Sequence, residues 1–175
     1  MFEATIARDV VVWSLLGLLG WAAWSDYRRL LIPNRICVAI VALFAVYLPF
    51  SPLPMTEAAW SLGVAFVVFA FGAFLFARRM IGGGDVKLLA AVALWAGRDL
   101  VFDYLFITTL AGGVLAVAMI APARLAALFP GMLRFVPAGS GGGSGAPRGS
   151  TQPSLPYGIA IAAGGIYVAL TIGGQ

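Results

Sequence analysis

Histidine is missing altogether from this chain of 175 residues, and cysteine occurs once, at Cys37. The first absence removes the usual imidazole base and the commonest metal ligand. The second rules out an intrachain disulfide and a cysteine-rich zinc site. Cys37 lies in an apolar run and reads as a small buried hydrophobe. Charge is scarce as well: 10% of the residues are Asp, Glu, Lys or Arg, and a water-soluble domain of this size needs many more to cover its surface.

What remains is apolar. The chain is 62% hydrophobic, with a mean hydropathy of +0.99. Lipid is the expected solvent, and one membrane-embedded domain over residues 1–175 is the expected organisation. The net charge of +4 does not point to nucleic acid, because basic residues of membrane proteins collect in cytoplasmic loops. Six apolar stretches run at 9–25, 36–50, 58–77, 86–97, 101–121 and 155–172. Judged against the ~20 residues that cross a bilayer, they predict an all-α polytopic bundle of about six transmembrane helices. No strand alternation competes with that reading. The second and fourth stretches are short for a full crossing. The first carries Glu3, Arg8 and Asp9 in place of a positive cluster and lacks a tidy cleavage site, so it reads as a retained helix. Residues 139–153, GSGGGSGAPRGSTQP, read as a flexible cytoplasmic loop.

Six spans sort the charges. Arg28, Arg29, Arg35, Arg78, Arg79, Lys87, Arg124, Arg134 and Arg148 fall on one side, which leaves Arg8 and Arg98 on the other. The positive-inside rule puts the larger group in the cytoplasm and both termini outside. Five acids accompany the outer side. Asp26 and Asp85 alone fall on the inner one, at the end of the first span and the start of the fourth. Each could serve as a local counter-ion. As a pair they suggest chemistry, since carboxylates at a membrane boundary are costly to keep.

Two aspartates held side by side hydrolyse peptides without metal, cofactor or histidine. The ionised one takes a proton from water, and the protonated one hydrogen-bonds the scissile carbonyl. Gly82, Gly83 and Gly84 precede Asp85 directly. They allow a sharp turn and leave room for a substrate backbone. The stretch GGGDVK lacks the Gly-Lys-Ser/Thr ending of a phosphate-binding loop.

These residues resemble a known family. GGGD at 82–85 fits the GxGD signature of membrane aspartyl proteases, and GGGDVKLL is similar to the type IV prepilin peptidases in particular. SDYRRLLIPN at 25–34 resembles their first aspartate motif, and LPYGIAIAAGG at 155–165 the start of their last helix. The resemblance implies an enzyme that cuts the short basic leader from prepilin-like precursors at the cytoplasmic membrane face. Asp26 and Asp85 match the catalytic pair. Pro33 and Asn34 match the loop that presents the first aspartate. Pro156, Tyr157 and Gly158 match residues shaping the site from the last helix, and Lys87 stands where it could contact substrate or snorkel to the interface. The implied partners are the precursor and the lipid bilayer; the oligomeric state is left open. A single cysteine and a short first cytoplasmic loop resemble the minimal form, without the methylation region, that serves Flp/Tad-type pili or archaeal filaments.

Two rival readings stand beside this one. Other GxGD proteases share one motif but place a Tyr-Asp pair deep in a helix, whereas the order here is Asp26-Tyr27 at a charged end. A small proton- or cation-coupled transporter would also use two membrane carboxylates, near the midplane.

Overall fold

The computed structural model describes residues 2–51, 53–128 and 156–174, so the predicted loop at 139–153 lies outside the described residues. Among the described residues the structure is all helical. The order is α1 (Phe2–Arg29), α2 (Asn34–Tyr47), a 3-10 turn (Leu48–Phe50), α3 (Met55–Ala77), α4 (Gly83–Leu128) and α5 (Tyr157–Gly173).

Helix α4 does not run straight. Gly97 sits at φ 58°, ψ −157°, a region that residues with a Cβ scarcely enter. The hydroxyl of Tyr104 donates to the carbonyl of Leu89, 15 residues earlier, at 3.2 Å. In an unbroken helix those residues would stand about 22 Å apart. The chain therefore folds back at Gly97, and arms 83–96 and 98–128 lie antiparallel. Sequence reading expects two stretches, 86–97 and 101–121, separated by residues 98–100; the structure makes the reversal at one glycine and keeps those residues helical.

The first arm of α4 is the hub. It packs against α2 and α3, while α5 packs against α4 and α1. Leu88, Val92, Leu15, Leu19, Ile40, Ile161 and Val168 form the buried core. Trp95 joins α4 to α2: its indole N–H donates to the Ile40 carbonyl at 3.1 Å, and its ring meets Phe44 edge-on at 5.3 Å. A buried indole keeps its packing surface and satisfies its donor in this way.

Outside the core the surface is apolar. Trp13, Phe66, Phe71, Phe102 and Phe106 are all exposed. Apolar patches on this scale are hazards in water and ordinary in lipid. Two runs are long and apolar enough to cross a membrane, Met55–Ala77 and Gly83–Met119, the second containing the reversal. Helices α2 and α5 are shorter and apolar.

Gly97→Ala is expected to lower stability by about 1–3 kcal/mol, the range for forcing a side chain into such backbone geometry. Gly113, with open space around it, is the control, and Gly113→Ala should be neutral or slightly stabilising. Thermal unfolding in detergent micelles measures both.

Candidate active site

One end of the bundle gathers the loop after α1, the start of α4 and the start of α5. Helix α1 stops at Leu30, whose φ of 50° is left-handed, and its N–H closes the last turn on the Asp26 carbonyl at 2.8 Å. The hydroxyl of Ser25 donates to the Leu31 carbonyl at 2.9 Å, folding the short connection back along α1. Ile32 is buried there, and Pro33 caps the start of α2 in an extended conformation.

Asp26 is 4% exposed. Its Oδ2 accepts the backbone N–H of Gly158 at 2.7 Å, and the N–H of Ile159 is also turned to it. A helix N-terminus has N–H groups without intrahelical partners. Helix α5 has no side-chain cap of its own, so a carboxylate from α1 fills that place. Gly158 must be glycine: a Cβ there would lie 2.8 Å from Asp26 Oδ2.

Asp85 stands in the first turn of α4, partly buried, with the Gly82 N–H turned toward its carboxylate. It lies within Coulombic reach of both Asp26 and Tyr157. The three glycines differ in what they make possible. A Cβ at Gly84 would press on Ile32, 3.3 Å from its side chain and 3.6 Å from its backbone N and O. At Gly83 the neighbour is the Phe76 ring, at 3.2 Å, and at Gly82 it is Asp85 Oδ2 itself, at 2.9 Å. Gly84 thus lets the Asp26 loop settle directly on the Asp85 turn, Gly83 lets α3 close from the side, and Gly82 leaves the carboxylate uncovered.

Of the residues singled out from sequence, Asp26, Asp85, Gly82, Gly83, Gly84, Pro156, Tyr157 and Gly158 meet at this end. Pro33 follows the connection that carries Ile32. Lys87 and Asn34 are placed differently. Two residues along a helix turn by about 200°, so Lys87 leaves α4 on the face opposite Asp85, and its Nζ donates to Asn34 Oδ1 at 2.9 Å.

Sequence reasoning quoted Ser25, in the last turns of α1, and Ile32, in the connection, within a motif but gave them no role, and it missed two further glycines. Gly72 of α3 receives Val86, the residue after Asp85, whose Cγ1 would lie 2.8 Å from an added Cβ. Gly112 of the second α4 arm receives the Tyr157 ring, 2.6 Å from an added Cβ. A glycine inside a long apolar helix is the available signal, because it weakens the helix unless something packs on it.

The family model described as the Type IV leader peptidase family matches residues 13–117, more than half of the chain and a stretch that contains both aspartates. Among curated proteins, the prepilin leader peptidase/N-methyltransferase of Bacillus subtilis (strain 168) is 32% identical over 127 residues, which are 70% of this chain and 49% of that protein. The chain spans about half the length of that curated relative. No solved structure matches it.

Gly158→Ala tests the geometry independently of activity. The new methyl group forces Asp26 off the α5 N-terminus and leaves buried polar groups unpaired, a loss of about 1–3 kcal/mol. Unfolding of the purified variant in detergent reads this. Gly20→Ala, at a position with nothing within 4 Å, should show no comparable loss.

Proposed function

The chain belongs to the Type IV leader peptidase family, and on that footing we propose that it is a membrane aspartyl endopeptidase that removes the basic leader from prepilin-like precursors. What supports this reading is that Asp26 and Asp85, 59 positions apart in the sequence, lie at one end of the bundle within Coulombic reach of each other. Around them stand Arg28, Arg29, Arg35, Arg78 and Arg79, at the ends of α1, α2 and α3. Six passes, with α4 counted as two, and the positive-inside rule put this end in the cytoplasm and both termini outside. Basic surroundings at a helix end suit a protease at the membrane face better than a midplane transport site.

The two carboxyls share one proton and divide the work. Backbone N–H groups approach both, those of Gly158 and Ile159 at Asp26 and that of Gly82 at Asp85. The ionised carboxyl takes a proton from water as the water oxygen bonds to the scissile carbonyl carbon. The protonated one hydrogen-bonds the carbonyl oxygen. The carbon–nitrogen bond then breaks, and the leaving amine takes up a proton from the pair. Gly82 leaves Asp85 open to an extended substrate backbone.

Asp26→Asn and Asp85→Asn should each abolish precursor cleavage by protein purified in detergent or lipid. The double variant should be no worse than either single one, since residues acting as a unit are not additive. Chelator should leave the rate unchanged. Near-normal turnover by either Asn variant overturns the two-aspartate mechanism.

The pair must hold one proton to work. Carboxyls that share a proton titrate in two steps, so kcat/KM should fall on both sides of a bell-shaped pH profile. A rate flat across the acidic range would exclude a shared proton.

Orientation is tested by cysteine labelling in a Cys37→Ser background. Cysteines placed at Arg28 and Arg79 should react only with reagents that reach the inner face.

A further inference from the structure

The face of α4 turned away from Asp85 is not bare. Lys87, Ala90, Ala91 and Leu94 form a stripe along it at spacings of three and four residues, and they line one wall of a cavity of about 650 Å³. Helix α2 supplies a matching stripe from Asn34 to Val41, and α3 one from Leu62 to Phe69. Both helices pack on α4, and the cavity runs between them as a groove parallel to the helix axes. Its floor is made of small buried residues, Cys37, Ala90 and Ala91; its rim holds exposed Val38 and Phe66. Seven residues of helix make the groove about 10 Å long, well within the ~15 Å depth of one leaflet.

One end of the groove is polar. Lys87 and Asn34 meet there through their 2.9 Å hydrogen bond. The start of α2 is at the same place, with no side-chain cap and no acidic residue in its first turn. Helix starts with free N–H groups bind phosphate oxygens; here the Ile36 N–H is taken by the Pro33 carbonyl at 3.0 Å, which leaves those of Asn34 and Arg35, and a lysine ammonium beside them supplies the charge. This end is level with the basic end of the bundle, where the lipid headgroups would lie.

We propose that this groove holds one anionic phospholipid of the adjacent leaflet, with an acyl chain along the α2–α3 groove and the phosphate at Lys87 and the α2 N-terminus. Charge complementarity at the mouth and an apolar channel below it match that occupant. The precursor's apolar helix fits less well, because Lys87 and Asp85 leave α4 on opposite faces. The proposal rests on the membrane reading of the chain and not on the peptidase reading. Its function is structural: the acyl chain fills the gap between α2 and α3, which are joined there through α4.

Native mass spectrometry tests it, on full-length protein delipidated in detergent and then supplied with equal phosphatidylglycerol and phosphatidylcholine. The wild type should retain one phosphatidylglycerol in preference to phosphatidylcholine. Lys87→Gln should cut that preference about fivefold. Ala65→Phe, which fills the channel, should lose retention of both lipids. Arg79→Gln, basic and at the same end but outside the groove, should keep the preference. Equal retention of both lipids by the wild type, an Arg79→Gln loss as large as that of Lys87→Gln, or full retention by Ala65→Phe overturns the proposal. So does a photoreactive residue at Val38 that cross-links to added precursor and not to lipid. Failure of precursor cleavage by the wild type would bear on the peptidase reading and leave this one standing.

Discussion

The hydrogen bond from the Gly158 N–H to the Asp26 carboxylate joins the first helix to the last across 132 residues. Each partner answers a need of the other. Helix α5 begins with N–H groups that no side chain of its own caps, and Asp26 is a nearly inaccessible carboxylate that requires donors. A buried acceptor left unpaired, or a buried helix start left uncapped, is strongly unfavourable. Satisfying both at once fixes the register of α1 against α5 and fixes Asp26 at the same time. The fold and the proposed chemistry therefore depend on the same bond.

Close approach is the second constraint, and glycine meets it at several places around the site. Gly84 admits the Ile32 loop, Gly72 admits Val86, Gly112 admits the Tyr157 ring, and Gly158 admits Asp26. In lipid, helices gain little from excluding water from one another, so association depends on packing and on small residues that let backbones come near. Each glycine here is met by a particular side chain, so the helices have one way to come together. Gly20 and Gly113, with open space around them, show that glycine in this chain is not always a contact.

Much of this was legible in the sequence, for identifiable reasons. Composition and apolar run length gave an all-helical membrane protein, since few charges and runs near bilayer length leave no other stable arrangement. The opening glycines and the two inner-side aspartates pointed to one end of the bundle. Two things were hidden. The reversal at Gly97 looked like a short loop because the charged Arg98 and Asp99 interrupt the apolar run. The positions of Lys87 and Asn34 were also hidden: nearness to Asp85 and Pro33 in sequence suggested one site, but helical rotation carries them to another face. Angular position on a helix requires knowing which neighbours pack around it.

That rotation has a larger consequence. The first arm of α4 is a single short helix whose two faces serve different surroundings. One face carries Asp85 toward Asp26 and the α5 start; the other carries Lys87 toward the α2–α3 groove. Arm 83–96 and the 14-residue α2 each rise about 21 Å, short of the ~30 Å of a bilayer core. Helix α1, with 28 residues, and α3, with 23, are long enough. In a membrane, the short pair would draw the basic end inward, so that headgroups and water reach the start of α4. Water is a reactant in the proposed hydrolysis, and a phosphate at Lys87 needs the same depth. A full-length first arm would lift Asp85 above the membrane or hold it in dry hydrocarbon, away from one requirement or the other. In the proposed arrangement, the shortness that made this stretch doubtful as a span would let one helix present a carboxylate to water on one side and a cation to lipid on the other.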